Sequence, residues 1–109
     1  MDVESAARAH CDRFNAAVRS GDWAPLVATF ADGGHLEFGD VPVGPFHGRE
    51  AIAAAYADNP PDDTLTVESV EPVDATTARV HFHWDKGGPG TMWLHWEDGL
   101  IGTLQITFS

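Results

Sequence analysis

Three consecutive stretches near the C-terminus alternate apolar and polar residues with a period of two, and this constrains the chain more than any other feature. Positions Val80, Phe82, Trp84, Met92, Leu94, Trp96, Leu104, Ile106 and Phe108 are aliphatic or aromatic. Between them lie His81, His83, Asp85, Thr91, Trp93, His95, Glu97, Thr103, Gln105 and Thr107. Alternation of this kind belongs to β-strands with one buried face. A slip of one residue would turn every apolar side chain to water, so the even positions must share a face. A three-residue connection, Asp98-Gly99-Leu100 with Gly99 left-handed in a bulge, meets that condition by aligning Trp96 with Gly102 and Leu94 with Leu104. A two-residue turn would set Leu94 against Thr103 and mix the faces. With an earlier segment at Thr64–Pro72, the expected strands are Thr64–Pro72, Thr77–Asp85, Thr91–Glu97 and Ile101–Phe108. Turns at Asp74-Ala75-Thr76, Gly87–Gly90 and Asp98-Gly99 separate them.

The first half reads differently. Val3, Ala6, Ala7, His10, Phe14, Ala17 and Val18 recur at helical spacing, with Arg8, Asp12, Arg13, Asn15 and Arg19 on the other side, which predicts a helix over 3–19. Gly21 stops it. Asp22 is placed to cap a second helix from Trp23 to about Phe30, with Pro25 in its first turn, where a missing N–H is tolerated. Asp32-Gly33-Gly34 reads as a turn, His35–Gly39 as a strand and Asp40–Gly48 as a loop. The alanine-rich Arg49–Asp58 is a third helix with Ile52, Ala55 and Tyr56 inward, ended by Asn59-Pro60-Pro61-Asp62-Asp63. Helices followed by an antiparallel meander define an α+β chain.

A length of 109 residues fits one domain, 1–109, with a core of ordinary size. A net charge of −11 opposes binding to nucleic acid or to an anionic membrane surface. One cysteine excludes a disulfide framework and a four-thiolate zinc site. The acidic Met1-Asp2-Val3-Glu4 start is unlike a signal peptide, and no apolar run reaches the length of a membrane span, so the expected location is cytoplasmic.

The segments Thr29-Phe30-Ala31-Asp32, His35-Leu36-Glu37-Phe38 and Phe46-His47-Gly48-Arg49-Glu50-Ala51-Ile52 resemble the NTF2-like superfamily, especially its ketosteroid isomerase and SnoaL-like polyketide cyclase branches. The resemblance implies a cone: three helices in the N-terminal half packed on a curved, mostly antiparallel sheet, around an apolar cavity open at one end. It also implies positions for the isomerase machinery. The catalytic carboxylate falls at Phe38 or Gly39, the oxyanion tyrosine at Phe14 and the protonated acid at Met92. None of these can ionise in the required way, so standard ketosteroid isomerase chemistry is not expected. Tyr56 matches a supporting tyrosine of that network.

Four candidate sites follow. Phe14, Phe38, Tyr56, Phe82, Trp84, Met92, Leu94, Trp96 and Phe108 are expected to converge, either as a pocket for a hydrophobic small molecule or as the rings of a filled core. Tyr56, Asp40 and His47 are the candidate proton-transfer residues of an isomerase-, cyclase- or dehydratase-type enzyme. His81, His83 and His95 stand on the outward face: with His81 opposite His95, about 5 Å away by Cα, they would form a three-imidazole zinc platform. The favoured reading of that face is a homodimer surface built by His81, His83, Trp93, His95 and Gln105, with no metal and no cofactor. Cys11, beside the apolar stripe of the first helix, reads as a buried thiol.

Overall fold

The computed structural model describes residues 1–39 and 43–108. The first helix, α1 (Val3–Ser20), begins where Asp2 accepts a hydrogen bond from the Glu4 N–H. It ends at Gly21, whose φ of 77° lets its N–H close onto the Ala17 carbonyl. Val3, Ala7, His10, Cys11, Phe14 and Ala17 form its buried stripe. Asn15, expected on the polar side, instead turns to the sheet. Its amide donates to the Leu65 carbonyl and accepts from the Leu65 N–H, both at 2.9 Å. A short α2 (Ala24–Val27) follows, with Asp22 accepting from the Ala24 N–H.

Helix α2 is shorter than expected because the chain becomes extended at Phe30. Strand β1 (Phe30–Phe38) runs through Asp32-Gly33-Gly34, which is an irregularity within the strand and not a turn between elements. The expected loop contains a two-residue strand, β2 (Phe46–His47), paired antiparallel with β1 through His35 opposite His47 and Leu36 opposite Phe46. Helix α3 (Arg49–Asp58) opens on Arg49. The Arg49 guanidinium donates twice to the Phe30 carbonyl, at 3.1 and 2.7 Å, and meets Asp32 at 3.0 Å, which ties the helix start to the start of β1.

The remaining strands are β3 (Leu65–Asp74), β4 (Thr77–Trp84), β5 (Pro89–Glu97) and β6 (Leu100–Phe108). They complete a six-stranded sheet in the order β2-β1-β6-β5-β4-β3, antiparallel except for the parallel β1–β6 pair. Helix α1 packs on β3 and β4, and α3 packs on β1 and β2. The inward and outward faces fall as the alternation requires. Val80, Phe82, Met92, Leu94, Trp96, Leu104 and Ile106 are buried, while His81 is exposed and His83, Trp93, His95, Thr103, Gln105 and Thr107 are half-buried.

Two details of register differ. Asp98 (φ 52°) and Gly99 (φ 81°) make a two-residue turn between Glu97 and Leu100. The extra residue sits inside β6: Trp96 pairs with Ile101 and His95 with Thr103, so Gly102 bulges out and Leu94 still meets Leu104. A side chain at Gly102 would meet the Glu97 carboxylate at 2.7 Å, so the exposed Glu97 side chain would have to turn aside. Between β4 and β5, His81 stands opposite Thr91, and His95 opposite Thr77. Alternation fixes a pairing only to within steps of two residues. The pairing differs by four residues from the expected one, with both faces unchanged.

Candidate active site: an apolar cavity at Trp84

A cavity of about 480 Å³ lies at the end of the sheet where β1, β4 and β6 finish. Leu36 and Phe38 come from β1, Val43 and Phe46 from the approach to α3, and Trp84, Gly87 and Phe108 from the ends of β4 and β6. The last turn of α3 supplies Ala55, Tyr56 and Asn59, and the segment after it supplies Pro61, Asp62 and Asp63. Val43 and Phe108 are 47% and 40% exposed, so the cavity reaches solvent on their side. Trp84 anchors the wall. Its ring packs edge-on against Phe14 and Phe82 and stacks on Phe108, with centroids 5.9, 5.2 and 6.2 Å away.

Of the nine residues expected to form the pocket, the structure places Phe38, Tyr56, Trp84 and Phe108 on this wall. Phe14, Phe82, Met92, Leu94 and Trp96 lie in the packed core at 0–6% exposure and do not line the cavity. Tyr56 is buried, with its ring stacked on Trp23 at 4.6 Å. Burial pushes its phenol well above the ordinary value, so the hydroxyl keeps its proton. His47 is exposed on β2, its Nδ1 3.1 Å from Nδ1 of His35, and it is absent from the cavity wall. Asp40 lies outside the described residues.

Asp63 is a residue of the cavity wall that sequence reasoning missed. Its Oδ2 accepts from the Lys86 N–H at 2.9 Å. The neighbouring Asp85 N–H donates to the Thr64 carbonyl at 2.9 Å, and the Thr66 hydroxyl donates to the Asp85 carboxylate at 2.6 Å. The 62–64 segment is thus laced to the β4–β5 turn, which holds Asp63 on the cavity wall. The other oxygen, Asp63 Oδ1, and the indole Nε1 of Trp84 are both buried without a hydrogen-bond partner among the described residues. An unsatisfied buried donor or acceptor costs about 1–3 kcal/mol, and more when the group is charged. Native proteins tolerate few of them without a functional or solvent partner. In sequence, Pro60-Pro61-Asp62-Asp63 carries only the signal of a helix terminator.

A wider groove of about 750 Å³ runs between α2 and α3, past Trp23, Val27, Arg49 and Tyr56. Its one charged lining group, Arg49, is already occupied by Phe30 and Asp32. The cavity at Trp84 is the one walled by several aromatic rings, Phe38, Phe46, Trp84 and Phe108.

The remaining candidates separate. His81 sits 3.7 Å from Glu71, His83 lies 3.8 Å from Glu68, and His95 Nδ1 is 3.0 Å from the Thr77 hydroxyl. Four residues along the strand put the positions of His81 and His95 roughly 13 Å apart, so the three-imidazole platform does not form. Among the described residues, no group of three or more His, Cys, Asp or Glu side chains is arranged to hold a metal ion. Cys11 is buried, and that pushes its thiol up to about 12, so it stays protonated and unreactive at neutral pH. No helix among the described residues is long and apolar enough to cross a membrane.

Comparison with known proteins agrees with this architecture. A Bacillus subtilis protein provisionally named an isomerase superposes with a TM-score of 0.78 at 18% identity, covering 100% of this chain and 90% of its own. A computationally designed 17-OHP binder gives 0.73 at 19% identity, with 94% and 90% covered. A Kribbella flavida protein provisionally named a ketosteroid isomerase gives 0.69 at 20% identity, with 94% and 76% covered. No curated protein matches significantly in sequence. The sequence pattern of the SnoaL-like domain matches residues 11–102. With that match the chain belongs to the SnoaL-like domain family, and it shares the fold of these neighbours.

Proposed function

We propose that this protein binds an uncharged hydrophobic small molecule in the cavity at Trp84. The observation that carries the reading is the wall itself: Phe38, Phe46, Trp84 and Phe108 surround a space of about 480 Å³ that reaches solvent. Concave, largely apolar sites with a few placed polar groups are the usual form of small-molecule sites. Relatives of the same fold that are named as isomerases, and one designed to hold 17-OHP, support the same reading. Proton-transfer chemistry of the isomerisation, cyclisation or dehydration type fits the fold, with Tyr56 on the wall as a hydrogen-bond donor. Thermal denaturation against uncharged steroid-like, polyketide-like and aromatic compounds tests binding. A ligand at a hundred times its Kd raises the midpoint by on the order of 10 °C. Phe108→Glu, at the exposed lip, is expected to remove that rise while leaving the unliganded midpoint nearly unchanged. A panel in which no compound raises the midpoint contradicts the proposal.

A second reading concerns assembly. Helices α1 and α3 both pack on the inward side of the sheet, and the outer face presents half-buried His83, Trp93, His95 and Gln105 with the Arg79 guanidinium 4.3 Å from the Trp93 ring. Several amphipathic side chains, with Arg79 already matched by Glu71 at 3.1 Å, suit a homodimer through this face. Light scattering at micromolar concentration is expected to report a dimer that Trp93→Asp dissociates. A monomeric wild-type protein contradicts this second reading.

A further inference from the structure

The short strand β2 brings two histidines together at the edge of the sheet. His35 and His47 stand directly opposite each other in the β1–β2 pair, and their Nδ1 atoms are 3.1 Å apart. The next pair, Leu36 and Phe46, lines the cavity, so the two imidazoles lie on the other face of the sheet. We propose that His35 and His47 form a binding site for one divalent transition-metal ion of the class that takes imidazole nitrogen: Ni²⁺, Cu²⁺ or Zn²⁺. The two Nδ1 atoms hold the ion and water fills its remaining positions. The site is independent of the cavity and of what binds there.

The spacing is that of two ligands on one ion. Two metal–nitrogen bonds of about 2.1 Å that meet at about 95° span about 3.1 Å. The rings are tilted by 53° with centroids 4.5 Å apart, so they converge at one edge and do not stack flat. The backbone holds them there: one residue beyond the pair, the Gly48 N–H donates to the Gly34 carbonyl at 2.7 Å. Little ordering is left to be done on binding. His35 is half-buried and His47 exposed, which leaves the ion open to water. Glu37, two residues along the same face, lies 4.0 Å from Nε2 of His35. A carboxylate on that side favours the tautomer with its proton on Nε2 and the lone pair on Nδ1, the arrangement usual for metal-bound histidine. The His47 Nδ1–H then donates to His35 Nδ1 in the metal-free protein. Exposed His47 can pass that proton through water to its own Nε2, and the ion enters between two neutral rings. Arg49, two residues on, is matched by Asp32 at 3.0 Å, and a net charge of −11 favours a cation. Imidazole selects copper, nickel and zinc, whereas Mg²⁺ and Ca²⁺ want oxygen ligands. The other outward histidines are engaged separately: His81 with Glu71 at 3.7 Å, His83 with Glu68 at 3.8 Å and His95 with Thr77 at 3.0 Å.

Titration calorimetry of the whole protein with NiCl₂ in a non-chelating buffer tests the site. The wild-type chain is expected to bind one Ni²⁺, and to bind Mg²⁺ far more weakly. His35→Ala and His47→Ala are each expected to weaken Ni²⁺ by about tenfold or more, since the loss of a ligand costs at least as much as the loss of its supporting partner. The double variant His81→Ala/His83→Ala, which removes the other close pair of outward histidines, is expected to keep the wild-type affinity. A second measurement needs no variant. Substoichiometric Cu²⁺, which is paramagnetic, is expected to broaden the ring signals of His35 and His47 in wild-type protein before those of His81, His83 and His95. The proposal is overturned if Ni²⁺ does not bind the wild-type chain, if Mg²⁺ binds as tightly, or if either single variant loses less than that. Loss of Ni²⁺ in the double variant, or broadening that begins at His81, His83 or His95, overturns it as well.

Discussion

The two ends of the sheet's inner face have the same alternating pattern and different outcomes. At one end, Phe30, Leu94, Trp96, Ile101 and Leu104 pack at 0–6% exposure against one another and the helices. At the other, Phe38, Trp84 and Phe108 stand around open space. Neighbouring small residues decide which occurs. Phe82 lies between the two ends and reaches the interior because its strand partner is Gly90, where a Cβ would come within 2.6 Å of the Phe82 ring. Beyond it, α3 presents Ala55 and ends at Asp58, and the chain leaves through Pro60-Pro61 before any large side chain fills the gap. A periodic strand pattern thus specifies a face, and the helix opposite it determines whether that face closes.

The largest expected effect lies at the closed part of the interior. Phe82→Ala should cost about 4 kcal/mol in urea denaturation, by lost transfer energy plus the cavity left behind. Phe108→Ala at the open end should cost less than about 1 kcal/mol, because the ring is already 40% exposed. Similar costs at the two sites would break the contrast.

Next is His10, fully buried on α1, where burial lowers its pKa to about 4 from an ordinary value near 6.5. The unfolded chain takes up the proton first, so stability is complete above pH 6.5 and declines as pH falls toward 4, by about 3 kcal/mol. His10→Leu is expected to flatten that part of the wild-type profile. Parallel profiles for the two proteins would show that His10 is not held neutral in the closed interior.

Asn15→Ala should follow, at about 2 kcal/mol, because it strips two hydrogen bonds from the Leu65 backbone. Asn15→Asp, which keeps the acceptor and loses the donor, should recover part of the loss. An unchanged denaturation midpoint in the alanine variant would show that α1 is anchored to β3 by packing alone.

The legible parts of the fold were those set by period. The inward set from Val80 to Ile106 follows from alternation, and so does the alignment of Leu94 with Leu104. Parity demanded one extra residue between β5 and β6, yet it could not say whether the loop or the strand would hold it. Asp98 and Gly99 complete a tight turn with both φ angles positive, and Gly102 takes the bulge. The pairing of His81 with Thr91 was not legible, because shifting an antiparallel pair by four residues leaves every face unchanged. Asp63 was not legible for a different reason. Its place depends on bonds to Lys86 and on Thr64 and Thr66 meeting Asp85, contacts across about twenty residues that leave no local period. His47 had a local signal, a histidine just before Gly48-Arg49, but its partner proved to be His35 on the exposed side of the neighbouring strand.

The chain has four tryptophans, and each of the regions in question carries one: Trp84 on the cavity, Trp23 on the α2–α3 groove, Trp93 on the outer face and Trp96 in the closed interior. Their indole N–H signals in a ¹H–¹⁵N spectrum, assigned with single Trp→Phe variants, therefore report directly on where a ligand sits. On titration with an uncharged aromatic compound that raises the midpoint, the Trp84 signal is predicted to move in proportion to saturation, with that of Trp93 unmoved and that of Trp96 little changed. A titration that shifts Trp23 or Trp93 while Trp84 stays in place would contradict the assignment of this cavity as the binding site.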